Sequence, residues 1–587
     1  MKKSFSAILL MLTIQMTFVP SYCVVDKQHN DSVQATWKSL NERGYPGWFD
    51  EAKLGIFVHW GLYSVPAYAH PEGYAEWLYK GLMSHNPGRM KIMVNYGDTT
   101  LSTKELYGKL AEYWHAELWN PEQWAKIFSE AGAKYVVLVT KHHDGYCLWD
   151  SPQQPEWNSV NSGPHRNIVA ELTESVRKAG LRMCFYYSLP EWNNPLHQWT
   201  IDSNDSIGRY VEKYMEPQFR DLVTRYKPDL IFSDGDWDFS AEKLKSKELI
   251  SFYYNTVGAD AIVNNRWGGG TEHGFLTPEY SAGIQVTDRP WAECRGLGRS
   301  FGYNRNELLE NIMTSCELIQ HFVELVANGG GMTLNVGPNA DGTIPFIQRD
   351  RLNELGKWLK TNGEAIYGSR PMRNDKNEVM AQQSKHSSVN LENSDVIDYD
   401  WVRNAPMAGG RTDDFEVVWE GEPEEGVYSI LAEADDRVEV VLNDDTIANG
   451  ALVAVKVGDK MKIHFYEKDL EARVRLSKIV RNDTILLKAK NGWRGIYQYE
   501  QTVRAFTIQP SDGTRYIMEF SRPGDEIVVE GFPLIKKCTK IRLLGCDGDL
   551  KWKQGRDGKL TISLKNVDYE QINQLDYVWV FKVGTFD

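Results

Sequence analysis

Between residues 46 and 371 the chain alternates short, wholly apolar runs with stretches whose apolar positions recur every three to four residues. The first kind reads as parallel strands buried on both faces, the second as helices that bury one face. The spacing predicts strands over Leu54–His59, Tyr135–Thr140, Leu181–Tyr187, Leu230–Ser233, Ala261–Asn264 and Met332–Val336, with a further one near Val286. Helices are expected from Asn120 to Ala131, over Asn167–Lys178, up to a point near Arg225, and over Gln348–Lys360. Asn120-Pro121-Glu122-Gln123 supplies a cap, a proline at the first helical position and a capping-box partner, and Gly132 stops that helix. Repeated strand–helix units over this length favour an irregular (β/α)8-type barrel over a doubly wound sheet.

Beyond Arg373 the helical period disappears, and short alternating runs separated by Gly, Asp and Asn turns replace it. That pattern predicts two β-sandwich domains behind the α/β barrel, one over 395–480 and one over 494–587. Asn374–Asn393 and Val480–Gly495 read as the linkers.

A chain of 587 residues is too long for a single core. Its formal charge of -14 argues against nucleic acid as a partner. Twenty Trp and 29 Tyr are more than a core of this size needs, and such a surplus suits stacking on sugar faces. Lys2, Lys3 and the apolar run Ala7–Val19 read as an export signal over 1–23, too short to span a bilayer. The expectation is an exported chain, periplasmic or extracellular, without a transmembrane segment. Lipid attachment at Cys23 is the lesser alternative, because Tyr22 is a bulky neighbour for that processing. The remaining six cysteines match no disulfide framework or zinc motif, although Cys538 and Cys546 could meet across a hairpin.

Lys141-His142-His143-Asp144-Gly145 follows a buried strand, and in parallel α/β folds ligands sit at that end of the sheet. Adjacent histidines without a third ligand are poor chelators, and neither HExxH nor paired Cys is present, so no metal is expected here. Leu230–Ser233 runs straight into Asp234-Gly235, where the competing reading is a turn aspartate. His59, Glu76-Trp77, Tyr186-Tyr187 and Arg266-Trp267 follow or flank the same series of strands and tip the balance. Imidazole, aromatic, guanidinium and carboxylate groups on one rim suit a neutral polyhydroxylated substrate. Glycoside hydrolysis fits, since it needs two carboxyl groups and no cofactor.

Residues 46–371 resemble the α-L-fucosidase family, glycoside hydrolase family 29. The resemblance rests on Trp48-Phe49-Asp50-Glu51-Ala52-Lys53-Leu54-Gly55-Ile56-Phe57-Val58-His59-Trp60-Gly61, on Lys141–Tyr146 and on Lys227–Gly235. Asn265-Arg266-Trp267-Gly268, Ser300–Asn304 and Leu334–Pro338 extend it. It implies a retaining exo-α-L-fucosidase that forms a covalent glycosyl-enzyme intermediate, with Asp234 as nucleophile. The acid/base of the family lies on a variable loop after the Arg-Trp-Gly motif, which selects Glu279, with Glu293 as the rival. By the same resemblance His59, Glu76, Trp77, His142, His143, Tyr186 and Arg266 bind fucose or shape its pocket. Phe301 packs under the C5 methyl group. Phe232 departs from the tryptophan usual in its strand.

The order Asp398-Tyr399-Asp400-Trp401, Asp413–Gly421, Gly426-Val427-Tyr428 and Glu433–Val438 resembles a protective-antigen-type β-sandwich, inserted between barrel and C-terminal sandwich. Asp435-Asp436 matches a pair that holds calcium in sugar-binding relatives, against a preferred reading as turn aspartates in a spacer. Fucosylated glycans are the expected partners. The alternative is a non-catalytic fucose-binding protein on the same scaffold. Oligomeric state is not legible.

Overall fold

The computed structural model of the chain describes residues 32–71, 73–84, 95–96, 100–196, 204–280, 287–380, 383–402, 406, 415–467, 472–481, 483–568 and 577–584. The expected export segment with Cys23, the strand near Val286 and Asp413-Asp414 lie outside the described residues.

Seven parallel strands form the first sheet. They are β1 (Leu54–Val58), β2 (Tyr135–Lys141), β3 (Arg182–Ser188), β4 (Leu230–Asp234), β5 (Ile262–Val263), β6 (Ala292–Gly296) and β7 (Gly331–Val336). Their order is β5-β4-β3-β2-β1-β7-β6. Alternate side chains serve two cores, as the two-residue strand period requires. Phe57, Val137, Val139, Cys184, Tyr186, Phe232, Ile262, Ala292 and Cys294 form the inner cluster. Ile56, Leu138, Phe185, Ile231, Val263 and Leu334 join the outer one with the helices. Gly55 is required on β1 because a Cβ there would lie 2.1 Å from the Tyr135 ring.

Helix Pro121–Glu130 starts where its signals place it, with the Asn120 side chain accepting from Gln123 N. Ile168–Lys178 is capped by Asn167 in the same way. Ser315–Ala327, not foreseen from the sequence, carries a full capping box of Thr314 and Glu317.

The sheet curls, and among the described residues its edge strands β5 and β6 are linked by isolated bridges made by the segment 275–279. Asn264 bridges Phe275, Leu276 bridges Trp291, and Glu279 bridges Cys294. Among the described residues, the open side of the half-barrel is spanned by this short segment.

The C-terminal β-rich part departs from the expected linkers. Val480–Gly495 is no linker: it holds strand Asp483–Leu486 and the start of Lys488–Ile508, a single strand of 21 residues. The first part of this strand pairs with Phe415–Gly421, and the second pairs with Arg515–Glu519. Asn374–Asn393 likewise contains strand Gln383–Asn390, which pairs along Lys488–Ile508. Two β units thus share one strand. The first also includes a five-stranded sheet with Asp398–Val402 at one edge and closes over its own core of Trp419, Ile430, Phe465, Leu476 and Trp493. The second docks on the barrel helices, where Trp358 Nε1 donates to Val578 O at 3.0 Å and Gln320 Nε2 to Phe520 O at 2.8 Å. Cys538 and Cys546 are free thiols, so the hairpin disulfide does not form. Among the described residues no helix is long and apolar enough to cross a membrane.

Candidate active site

Because β1 to β7 are parallel, their carboxyl ends share one rim, and the residues that follow them converge there. Asp234 closes β4 with a largely buried side chain, 13% exposed. Its Oδ2 accepts from the Tyr186 hydroxyl at 2.9 Å and faces His143 Nε2 at 3.4 Å. Its Oδ1 accepts from Arg266 Nη1 at 3.2 Å. Burial works to raise the pKa of this carboxyl, but the His143 hydrogen bond and the Arg266 charge outweigh it. The net result lies well below the usual carboxylate range. Asp234 is therefore ionised, as a nucleophile must be.

The same Arg266 Nη1 also donates to Glu279 Oε1. Arg266 is held from behind by Thr277, whose hydroxyl and carbonyl accept from Nε and Nη2 at 2.9 and 2.8 Å. One guanidinium thus joins both candidate carboxylates at the mouth of the half-barrel. Glu293, the rival, is turned away. It lies between Ala292 and Cys294, which face the inner core, so the strand period sends its side chain outward. There it is buried and meets His321 Nε2 of helix Ser315–Ala327 at 2.5 Å.

The remaining pocket groups are mostly uncharged by burial. His59 is pushed down to about 3 by burial, and its Nδ1 lies 2.6 Å from Asn335 Oδ1. Asn335 Nδ2 donates to Phe301 O at 2.6 Å, so its Oδ1 must accept, and Nδ1 of His59 carries the proton. Nε2 of His59 is then unprotonated and able to accept a hydrogen bond. His142 is lowered by burial and then by the neighbouring His143, and it stacks on Tyr186 with centroids 5.8 Å apart. Glu76 is pushed up to about 8 by burial, despite accepting from Gly302 N at 2.7 Å, and at neutral pH it is a donor. His143 Nδ1 is anchored on Ser188 Oγ at 2.6 Å.

Aromatic rings build the wall. Phe301 is 8% exposed and lies 5.0 Å from His59 and 6.0 Å from Tyr74. Trp77 packs on Trp192 at 5.1 Å. Trp237, 50% exposed, reaches His143 at 5.2 Å and Trp77 at 5.7 Å. The ten residues given catalytic or pocket roles meet at this rim, whereas Tyr187 and Trp267, expected on it as well, are buried in the helix-facing core. Ser188, Trp192, Trp237 and Asn335 were not given roles there. Asn335 carries the clearest signal, a polar side chain inside the buried run of β7.

The Alpha-L-fucosidase family model matches residues 22–364, more than half of the chain. The chain belongs to the α-L-fucosidase family. Among relatives, the α-L-fucosidase of Dictyostelium discoideum is 41% identical over 346 residues, covering 58% of this chain and 75% of that protein. Human tissue α-L-fucosidase is 38% identical over 344 residues, covering 57% and 72%. The Thermotoga maritima α-fucosidase in complex with a mechanism-based inhibitor superimposes with a TM-score of 0.62 at 28% identity, covering 94% of this chain and 99% of that one. Its complex with fucose gives 0.60 at 27%, over the same shares. The curled parallel sheet followed by β-rich units is the shared architecture. As a fucosidase of this family, the enzyme is a glycoside hydrolase.

At Asp435-Asp436 the sequence favours turn aspartates over a calcium pair. Both oxygens of Asp435 accept from Arg473 N at 2.9 Å, and Oδ1 also accepts from Asp436 N at 3.0 Å, as in an ordinary turn cap.

Proposed function

We propose that this fucosidase is an exported, retaining exo-enzyme that removes terminal α-L-fucose from glycans, with Asp234 as nucleophile and Glu279 as acid/base. The observation that carries the reading is the shared donor, Arg266 Nη1, between Asp234 Oδ1 and Glu279 Oε1. Two oxygens on one donor lie no further apart than two hydrogen bonds, roughly 6 Å. That suits the 5–5.5 Å or so of retaining enzymes better than the ~6.5–9.5 Å of inverting ones.

In the first step an oxygen of Asp234 attacks the anomeric carbon, the glycosidic C–O bond breaks, and the departing oxygen takes the Glu279 proton. In the second, Glu279 removes a proton from water, the water oxygen attacks the anomeric carbon, and the ester to Asp234 breaks. Tyr186 and Arg266 hold Asp234 in place throughout. His59 Nε2 accepts from a sugar hydroxyl, while His142, His143 and the protonated Glu76 complete hydroxyl recognition. Phe301 meets the C5 methyl group, and Trp77 lines the pocket beside it.

Export rests on Lys2, Lys3 and the apolar run Ala7–Val19. The β unit with its own core from Ile397 to Tyr497 is read as a protective-antigen-type module, supported by the order of its motifs. The test of the catalytic reading is proton NMR of wild-type hydrolysis of an aryl α-L-fucoside. Retention predicts α-L-fucose as the first anomer released; β-L-fucose first would overturn it.

A further inference from the structure

Glu279 is the last residue of the segment bridging β5 and β6, and its neighbour Tyr280 adopts φ +47°, a left-handed conformation uncommon for an aromatic residue. Tyr280 is buried and meets the Phe301 ring edge-on at 5.5 Å. Its hydroxyl donates to Arg299 O at 2.5 Å and accepts from Gly296 N at 3.1 Å. The backbone beside Glu279 is thus tied to Arg299.

Arg299 is only 3% exposed, an expensive place for a guanidinium unless it is hydrogen-bonded. Its Nη2 donates at 3.1 Å to the carbonyl of Trp401, which lies on strand Asp398–Val402 of the first β unit, outside the barrel. Glu307 faces the same loop and accepts from Arg299 N and from Ser300 N. The neighbouring Ser300 Oγ accepts from Ala75 N at 2.9 Å, so the segment that Arg299 anchors also borders the Glu76 side of the pocket.

We propose that Arg299 and Tyr280 are positioning residues through which the first β unit orients Glu279. On this account the unit contributes to proton transfer without touching the sugar. The proposal rests on the reading of Glu279 as acid/base. A buried cation spent on a carbonyl of a second unit costs more than a surface contact and fixes that unit against one loop, the one carrying Tyr280's acceptor.

The test is kcat/KM on a series of α-L-fucosides running from good leaving groups, such as dinitrophenol, to an alkyl alcohol that must be protonated. Arg299→Met and Tyr280→Phe should lose about tenfold or more on the alkyl fucoside and less than about twofold on the dinitrophenyl one, a fraction of the effect of removing an acid/base outright. Arg299→Lys, which can still donate to Trp401 O, should recover part of the loss. Equal losses on all substrates, or no loss, would overturn the proposal. Tyr280→Phe removes one oxygen only and carries the test if Arg299→Met does not fold. Glu279→Gln run alongside separates the two readings: if it shows no leaving-group dependence, the assignment of Glu279 is what fails.

Discussion

Arg266 Nη1 stands 3.2 Å from Asp234 Oδ1, and the same nitrogen serves Glu279. This contact places a positive charge between two carboxylates that the proposed mechanism requires in opposite protonation states in its first step. Its geometry is also fixed from behind by Thr277.

Arg266→Lys keeps the charge and loses the fork that reaches both carboxylates and Thr277. We expect kcat/KM to fall by about 10²-fold or more, as when a preorganised electrostatic partner is removed. Arg266→Met, which removes the charge as well, should move the acid limb of the pH profile upward, because Asp234 is held low partly by that charge. Steady-state kinetics from pH 3 to 8 on an aryl fucoside would check both.

Glu76 sets a different limit. Its carboxyl is raised to about 8, so it is neutral at pH 7 and ionises above 8. Activity that needs it as a donor should decline as pH rises through about 8. Stability follows the same sign: the group's folded value lies above its unfolded one, so its contribution is full below the unfolded value and lost as pH rises through the folded value. Glu76→Gln keeps a donor and removes the proton. Its alkaline limb should shift away from 8, and its unfolding free energy should depend less on pH between about 4.5 and 8.

Glu293 is a control. Buried against His321, it serves the packing of β6 on helix Ser315–Ala327. Glu293→Gln should cost about 1–3 kcal/mol in urea unfolding and leave kcat within about twofold. Glu279→Gln should do the reverse.

How far the sequence carries is visible in these residues. Leu230–Ser233 announces a buried strand and Asp234 its carboxyl end, because a parallel strand covered on both faces is apolar throughout. Strand β6 has the sequence Ala-Glu-Cys-Arg-Gly, with two charged residues that alternate outward and no β-branched residue, so no hydrophobic period marks it. Glu279 and Glu293 compete in the sequence because Trp291-Ala292-Glu293 aligns with the family's Trp-Glu only to within one residue, and the register of β6 is what turns Glu293 away from the pocket. The shared strand Lys488–Ile508 was obscured in the same way. Its opening Lys-Ala-Lys-Asn-Gly reads as a polar turn, whereas Val396 pairs with Lys488 on one side and Pro423 bridges Ala489 on the other. Asn335 was visible as a polar intruder in β7, but its task of fixing the His59 proton depends on Phe301 O, which is distant in sequence.

The most direct measurement of the central claim is turnover by Asp234→Gly on an aryl α-L-fucoside, with and without azide. The account predicts loss of nearly all hydrolysis, and partial rescue in which azide attacks the open face and gives a fucosyl azide of inverted configuration. Undiminished hydrolysis by this variant would contradict Asp234 as the nucleophile, and fucose binding without turnover by the wild-type chain would contradict catalysis altogether.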